Sequence, residues 1–588
     1  MIYYEICNNI LAVHRREHAR KELIPLSKRK RGLLLLALLL ALALGLWHLA
    51  IHPQPALTPV ASERAPQGRV LLVPLDSRPP CRAHVAALGR IAGRDVVTPP
   101  GALMDYYSAP GDTAGLLAWL QETIAPGDTV LLSIDQLLYG GLLAAREHTA
   151  TETAQDALVA YLRALHAAQP TARIYAFSIL PRLTPQDTID GYEERRALIA
   201  YSRLVGREAA GLAIDTAERD RLRAKISDAS LAAYVGHFDE NARLNEKLIA
   251  LTEDGTLARL VLGQDDGEPY GIPNIEKYRL QQAIEASGAR ARVTLTHGAD
   301  EIAQTLLAAC VNEQQGLSPR IFVAYAEPAA AARVMPYMAV SVDATADEKI
   351  RLIGGRRVDT PEDADLVLYL NASDAEKGSL DARAAACTAL SGLVEREKPT
   401  ALVDLSKHFD AREPLLPLLL ARDFPLTRLT AYAGWNTTSN AVGTALAEAS
   451  LALAAQRPDT SKEQRKEQRE AGAMANETFL QGRILEDYFY LKEDIDPINR
   501  ALKKADYTNT ADLDLEHNHR WATAMLQRRL AAQVAVYKQT RSLRAPFPVP
   551  GTDEMLAIYD LRASAGFPWP RTFEIDLTAQ PFFARVAP

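Results

Sequence analysis

Short apolar runs alternate with longer amphipathic stretches from Arg69 to about Gln456, and this alternation constrains the fold more than any other feature of the chain. The first runs read VLLVPLD, DVVTPP, TVLLSID and RIYAFSIL, and the last read ADLVLYLN, PTALVDLS and TRLTAYAGWN. Strands that alternate with helices form parallel βαβ units. Nearly continuous apolar strands are typical of sheets that helices cover on both faces. The sequence therefore predicts an α/β body.

A polar stretch at 316–320 divides the predicted strands into two series. We predict a first α/β domain over 68–316, either barrel-like or doubly wound, and a second, smaller α/β domain over 317–456. A charge run, RPDTSKEQRKEQRE, opens a predicted helical region at 457–545. The tail at 546–588 contains Pro and aromatic residues, and we expect it to pack on the body.

The segment at 32–51 contains no Asp, Glu, Lys or Arg. It is long enough to cross a bilayer core of about 30 Å at about 1.5 Å per residue. Four basic residues, 28–31, precede it, and positive charge stays in the cytoplasm. We therefore predict a cytoplasmic segment at 1–31, a single-pass signal anchor at 32–51 and a linker at 52–67. The body would face the periplasm or the outside of a bacterial inner membrane.

Charge and motif content exclude several classes of function. The net charge is −7 and no long basic stripe occurs beyond the N-terminus, so nucleic acid is not an expected partner. The four cysteines lie far apart with no CxxC spacing, which weighs against a zinc knuckle or a disulfide framework. The sequence contains no GxGxxG, GxxxxGK[ST], HExxH or GxSxG motif. These absences weigh against nucleotide-dependent enzymes, zincins and serine hydrolases.

Polar and charged residues follow most of the predicted strands. The working residues of parallel α/β proteins lie at the carboxyl ends of the strands. We therefore predict that substrate is bound by residues at these ends, which are Asp76, Arg78, Asp135, Tyr139, Arg146, Trp435, Asn436 and Asn440. Trp435 could stack on a sugar ring or pack in the core.

Two strand ends carry adjacent carboxylates, Asp265-Asp266 and Asp300-Glu301. A single acidic residue there usually caps the next helix. Two neighbouring carboxylates repel each other unless a cation, a proton or the substrate compensates. We therefore predict that Asp265, Asp266, Asp300 and Glu301 are the catalytic residues.

The strings VPLDSRPP, SIDQLLYGGLLAAR, GQDDGEPYG, GADE and YAGWNTTSNAVGTALA resemble signature segments of a bacterial family catalogued as domain of unknown function 4127. The resemblance runs from about Arg69 to the tail string FPWPRTFEIDL. It implies that the exported body works as one unit. It brings no established activity.

The run Thr296–Glu301, THGADE, is similar to the His-x-Gly-Gly-Asp-Glu segment of family 20 β-N-acetylhexosaminidases. This resemblance implies that Asp300 orients the acetamido group of the substrate and that Glu301 is the general acid. Two features depart from the family pattern. Ala299 replaces the second glycine, and His297 lies one residue closer to the acid pair.

The leading hypothesis from these residues is an exported hydrolase, similar to a glycoside hydrolase, that acts on an envelope or extracellular glycan without a cofactor. Glycosidic cleavage needs one protonated and one ionised carboxyl group, or a substrate group in place of the second. One alternative is a metal-dependent hydrolase of phosphate or amide bonds. Its divalent ion would take ligands from Asp76, Asp135, Asp265, Asp266, His297 and Asp300. A second alternative is a glycan-binding envelope protein without catalytic activity.

Overall fold

The computed structural model describes residues 57–60, 66, 68–189, 191–374, 380–408, 410–457, 462–505, 507, 510 and 512–586. The predicted signal anchor, 32–51, and the basic segment before it lie outside the described residues. Within the described ranges, no helix has both the length and the apolar character needed to cross a membrane.

Strands and helices alternate through most of the described chain, as the sequence predicts. The strands are β1 (Leu57–Val60), β2 (Gly68–Val73), β3 (Arg94–Val97), β4 (Thr129–Ser133), β5 (Arg173–Leu180), β6 (Arg259–Gln264), β7 (Val293–His297), β8 (Arg320–Tyr325), β9 (Arg356–Val358), β10 (Leu366–Ser373), β11 (Thr400–Ser406), β12 (Ala431–Ala433), β13 (Phe547–Pro548), β14 (Met555–Gly566) and β15 (Asp576–Val586). The helices are α1 (Ala83–Ile91), α2 (Thr113–Thr123), α3 (Ile134–Tyr139), α4 (Leu142–Glu147), α5 (Glu152–Ala168), α6 (Tyr192–Ala209), α7 (Thr216–Arg223), α8 (Asp228–Glu253), α9 (Ile272–Ala286), α10 (Ile302–Gln314), α11 (Val342–Leu352), α12 (Leu380–Glu395), α13 (Leu416–Ala421), α14 (Thr438–Ala454), α15 (Lys462–Arg483), α16 (Ile495–Lys504), α17 (Asn518–Tyr537) and α18 (Arg541–Arg544). A π-helix, Ile484–Asp494, joins α15 to α16.

The first sheet has the strand order β3-β2-β4-β5-β6-β7, and every neighbouring pair in it is parallel. The sheet is open, so the barrel-like form of the prediction is wrong, and the predicted parallel α/β body is confirmed. The order in which strands are added reverses between β2 and β4, because β3 lies on one side of β2 and all later strands of the sheet lie on the other. In open α/β sheets, ligands bind outside the carboxyl ends of the strands at such a switch point.

The second sheet has the order β12-β11-β10-β8-β9 and is also parallel throughout. The predicted boundary at 316–320 falls between β7 of the first sheet and β8 of the second. A single buried apolar cluster nevertheless contains residues of both sheets, among them Leu72 of β2 and Leu368 of β10. The two sheets therefore share a core.

The helices α10 and α14 pack against each other within this shared core. The sequence of α14, TSNAVGTALAEASLALA, is rich in Ala, Ser and Gly, and almost all of the helix is buried. Small side chains allow two helix backbones to approach closely. The N-termini of α10 and α14 follow the strands β7 and β12, and their close packing brings the polar residues at those two strand ends together.

The C-terminal residues form the predicted helical region and then a third sheet. This sheet has the order β1-β15-β14-β13, with antiparallel pairing of β13, β14 and β15. The connection between β14 and β15 reaches the carboxyl end of β2, where Trp569 Nε1 donates a hydrogen bond of 2.9 Å to Ser77 Oγ. The tail thereby packs on the first sheet.

Candidate functional site

A small pocket opens at the carboxyl ends of β6 and β7 in the first sheet, and we call it the strand-end pocket. Loops that follow β8 and β12 of the second sheet close its other side. Its lining consists of 264–267, 297–300, Tyr337, Met338, Asn436, Thr437, Ser439 and Asn440. Parallel pairing places Gln264 of β6 opposite His297 of β7, which brings the two predicted acidic pairs to one edge.

Arg78 joins two carboxylates beside this pocket. Its Nη2 lies 2.5 Å from Asp76 Oδ2 and 2.5 Å from Asp300 Oδ1, and its Nε donates to Asp76 Oδ2 at 3.0 Å. All three side chains are buried, and Asp76 is 0 % exposed. In the sheet β2 and β7 are separated by three strands, so this ion pair connects distant strand ends. Charge-assisted contacts of this kind are among the strongest in proteins.

Three carboxyl groups in this region have raised pKa values. Burial raises the pKa of Asp300 to about 6, with Arg78 opposing the shift and Asp76 adding to it. Burial raises the pKa of Asp135 to about 7, although the Ile179 N–H donates to its Oδ2 at 2.9 Å. Burial and the neighbouring Asp76 raise the pKa of Asp105 to about 8. The region can therefore hold protons on carboxyl groups near neutral pH.

The second acidic pair is held by two arginines. Arg146 donates to Asp265 Oδ2 from Nε at 2.7 Å and approaches it with Nη2 at 2.5 Å. Arg182 Nη1 lies 3.4 Å from Asp266 Oδ2. Burial and the charge of Asp265 raise the pKa of Asp266. The pocket therefore contains Asp265, whose carboxylate is paired with Arg146, and Asp266, whose raised pKa disfavours its ionised form.

Left-handed backbone conformations cluster in the same pocket. Asp266, Tyr337 and Asn436 have φ values of 30°, 62° and 55°, and all three line the strand-end pocket. Such backbone conformations are unfavourable for residues other than Gly and persist where the surrounding structure enforces them. The backbone at this site is thus held in place by its surroundings.

Glu301 has different neighbours from Asp300. Its carboxylate lies 2.6 Å from Lys349 Nζ, and the two side chains are 1 % and 0 % exposed. A Cβ atom added at Gly298 would lie 2.0 Å from Glu301 Oε1, and one added at Gly443 would lie 2.4 Å from its Cγ. The two glycines thus make room for the carboxylate next to the helix α14. Glu301 does not line the strand-end pocket.

His297 lines the pocket and is bonded at both ring nitrogens. Its Nδ1 lies 3.0 Å from Glu348 and its Nε2 lies 3.2 Å from Lys277 Nζ. Burial opposes the ionised form of Glu348, but the hydrogen bond and the charge of His297 outweigh it and lower the pKa of Glu348 to about 2. These contacts fix the orientation of the imidazole.

The other predicted binding residues separate into two groups. Asn436 and Asn440 line the pocket, and Asn440 Nδ2 donates to Asp300 Oδ2 at 3.4 Å. Tyr139 instead donates to Glu240 Oε1 at 2.9 Å, away from the pocket. Trp435 is 5 % exposed and packs against Phe573 at 6.0 Å between ring centroids. Of the two interpretations of Trp435, the structure favours packing.

Asp404, at the end of β11, accepts hydrogen bonds from the Leu415 and Leu416 N–H groups at 2.8 and 3.0 Å. These bonds satisfy N–H groups at the start of α13 that have no partner within the helix. Asp404, which lies within the last three residues of β11, therefore satisfies the start of a nearby helix, as acidic residues near strand ends usually do.

The comparison with protein families identifies the chain. A family model described as "Protein of unknown function (DUF4127)" matches residues 70–578. The chain belongs to the DUF4127 family. No curated protein and no solved structure matches it. The similarity of Thr296–Glu301 to family 20 β-N-acetylhexosaminidases therefore gains no support from known proteins.

Two residues that support the site in this DUF4127 protein were not predicted from the sequence. Asp487 of the π-helix accepts a hydrogen bond of 2.8 Å from the Gly434 N–H and so supports the turn that carries Asn436. The ring of Trp569 in the tail contacts two guanidinium groups, those of Arg78 at 5.0 Å and Arg571 at 4.8 Å from the ring centroid. Asp487 belongs to none of the strings that carry the family resemblance, and the string FPWPRTFEIDL, which contains Trp569, does not show that this ring reaches Arg78.

Two groups of side chains in the described part of this DUF4127 protein have the spacing of metal ligands. The first is Asp76, Cys81 and Asp300, whose ligand atoms lie within 4.8 Å of one another. The guanidinium of Arg78 already supplies positive charge to both of these carboxylates. The second group, Asp374, His408 and Glu413, lies at the carboxyl ends of β10 and β11 in the second sheet.

Proposed function

We propose that this DUF4127 protein is a hydrolase that acts on an envelope or extracellular glycan through the carboxyl groups of the strand-end pocket. One observation carries the proposal. A single pocket holds Asp300, whose pKa is raised to about 6, and the carboxylates of Asp265 and Asp266. Glycosidic cleavage requires a protonated and an ionised carboxyl group on either side of the scissile bond.

In this proposal Asp300 is the general acid. It gives its proton to the glycosidic oxygen as the bond to the sugar carbon breaks. The water oxygen forms a new bond to the sugar carbon, and Asp266, whose ionised form Arg182 stabilises, removes a proton from that water, so that the acid loses one proton and the base gains one. Arg146 and Arg182 hold the second acidic pair, and Asn436 offers polar contacts to sugar hydroxyl groups.

Glu301 takes a structural role in this proposal. The sequence predicts it as the acid, but its carboxylate is paired with Lys349 in a fully buried position. A general acid must reach the oxygen that it protonates. Asp300, which lines the pocket, meets this requirement, and we assign the acid role to it.

The proposed location is the far side of a bacterial inner membrane. It is supported by the apolar segment at 32–51 and by the basic residues at 28–31. A signal anchor at this position would tether the body near envelope glycans, which is the reason that we name this substrate class.

The adjacent residues Asp300 and Glu301 provide a matched test of the proposed acid. Full-length protein, purified in detergent, is assayed against a panel of activated aryl glycosides that includes 4-nitrophenyl N-acetyl-β-glucosaminide. Wild-type protein should turn over at least one of them. Asp300→Asn should abolish this turnover, whereas Glu301→Gln, with its fold intact, should retain it. The opposite result would return the acid role to Glu301.

A metal-dependent hydrolase remains the second candidate because Asp76, Cys81 and Asp300 have the spacing of metal ligands. Metal analysis of the same preparation, with turnover measured before and after chelation, separates the two. Turnover that survives chelation supports the proposal. Loss of turnover on chelation and its return with a divalent cation would support the metal enzyme, and glycan binding without turnover would support a non-catalytic protein.

A further inference from the structure

A second small pocket adjoins the strand-end pocket, and we call it the Arg182 pocket. Its lining is Arg146, Pro181, Arg182, Thr184, Gln186, Tyr234, His237 and Phe238. The two arginines in this lining are those that contact Asp265 and Asp266. These two ion pairs therefore link the two pockets.

Two buried side chains in the Arg182 pocket have polar atoms without hydrogen-bond partners. His237 is 5 % exposed, and neither of its ring nitrogens has a partner. Gln186 is 7 % exposed, and its Oε1 has no partner. Among the described histidines, only His237 has both ring nitrogens buried without a partner. Leaving such groups unpaired is costly, so their presence here points to a ligand group that pairs with them.

The chemistry of these atoms indicates what this group is. Burial lowers the pKa of His237 to about 4, so its imidazole is neutral near pH 7 and offers one donor and one acceptor. The carbonyl oxygen of Gln186 needs a donor. A hydroxyl group can accept from the imidazole N–H and donate to the Gln186 carbonyl oxygen, and so pairs with one atom of each side chain.

Charge and shape are consistent with a neutral ligand. The charges of Arg146 and Arg182 are balanced by those of Asp265 and Asp266. The rings of Tyr234 and Phe238, which pack edge to face at 5.0 Å between centroids, supply an apolar wall. Sugars present both hydroxyl groups and an apolar face of C–H groups.

We propose that the Arg182 pocket is a recognition subsite that takes a neutral hydroxyl-bearing group of the substrate, such as a sugar hydroxyl or hydroxymethyl. Gln186 and His237 are its specificity residues and Arg182 forms its rim. This inference rests on the proposed function, since it assigns a hydroxyl-rich substrate to the neighbouring carboxylates. It adds residues that follow β5 and that lie on α8.

The test is equilibrium binding of N-acetylglucosamine to the full-length protein, with glucuronate and inorganic phosphate as anionic probes. His237→Leu and Gln186→Leu should each weaken binding of N-acetylglucosamine roughly tenfold, as expected for a lost hydrogen bond to a neutral group. His166→Leu on α5 is the matched control and should bind like the wild type. Asp300→Asn should retain binding and lose turnover, which separates this inference from the proposed catalysis.

Thermal unfolding of the same variants tests the other explanation of the unpaired atoms, an internal water. If a ligand pairs with His237, then His237→Leu should leave the ligand-free protein as stable as the wild type or more stable, because an unpaired polar group is removed. A clear loss of stability in His237→Leu with unchanged binding of N-acetylglucosamine would overturn the subsite. Failure of the wild type to bind N-acetylglucosamine, or binding of only the anionic probes, would overturn it as well.

Discussion

Replacing Lys349 by Met removes the positive charge that faces Glu301 and leaves a carboxylate that is 1 % exposed without its counter-charge. Breaking a buried ion pair by removing one partner costs about 3–5 kcal/mol. Lys349 Nζ also donates to Thr296 Oγ1 at 3.1 Å and to the His297 carbonyl, and each of these hydrogen bonds from a charged donor adds at least about 1 kcal/mol. We therefore expect Lys349→Met to lower the free energy of unfolding by at least about 3 kcal/mol.

The double variant Glu301→Leu/Lys349→Met gives the sharper measurement. It replaces both charges by apolar groups of similar size, which is often neutral for a buried pair. Only the two hydrogen bonds of Lys349 are then lost, so we expect a cost of about 1–3 kcal/mol. The double variant should thus be more stable than Lys349→Met alone, and the coupling energy of the pair should exceed about 2 kcal/mol.

Urea unfolding of the full-length protein, followed by circular dichroism and tryptophan fluorescence, measures these differences. Coincident transitions by the two probes establish that one free energy describes the unfolding. A change of less than about 1 kcal/mol in Lys349→Met, or a double variant no more stable than the single variants, would refute a structural role for this ion pair.

Three further predictions follow from the same geometry. The raised pKa of Asp105, about 8, means that its contribution to stability is present at acidic pH and is lost as pH rises through about 8. The free energy of unfolding of Asp105→Asn, measured in urea, should therefore rise relative to that of the wild type between pH 5 and 8, by up to about 1.4 kcal/mol per pH unit. A difference between the two proteins that does not change with pH would contradict the raised pKa of Asp105. Arg78→Met leaves Asp76 and Asp300 without their shared cation, and should cost about 3–5 kcal/mol by the same assay and abolish glycoside turnover; normal turnover would exclude Arg78 from the site. Tyr337 has a φ of 62° and a side chain that is 58 % exposed, and Tyr337→Gly relieves this backbone strain. The free energy of unfolding of the variant should therefore stay within about 1 kcal/mol of the wild type, while its KM for a glycoside rises. A large destabilisation would show that the Tyr337 side chain contributes to folding.

The fold and the edge that carries the site could be predicted from the sequence because the signals are local. The run VLLVPLD marks a buried parallel strand and the acidic residue that follows it. In a parallel sheet all such strand ends lie at one edge, so Asp76, Asp265 and Asp300 could be placed at that edge without a structure, whereas their convergence on one pocket could not.

The orientation of each side chain could not be predicted in this way. Asp300 and Glu301 are adjacent in sequence, yet Asp300 lines the pocket and Glu301 is paired with Lys349 of α11. This difference depends on Gly443 of α14, which makes room for Glu301 and lies far from it in the chain. Tertiary contacts of this kind leave no local pattern.

The shared core and the roles of Trp569 and Asp487 escaped prediction for a similar reason. Two series of strands separated by a polar stretch suggest two domains, and nothing in the periodicity shows that Leu72 and Leu368 belong to one core. The hydrogen bond from Trp569 to Ser77 joins residues from opposite ends of the body. Only the assembled fold brings them together.

The proton on Asp300 is central to the proposed chemistry, and the pH dependence of glycoside turnover measures it most directly. With a pKa raised to about 6, turnover by the wild type should fall as pH rises above about 6, because the acid loses its proton, and Asp300→Asn should show no turnover at any pH. Turnover by Asp300→Asn at the wild-type rate, with the same pH profile, would contradict the assignment.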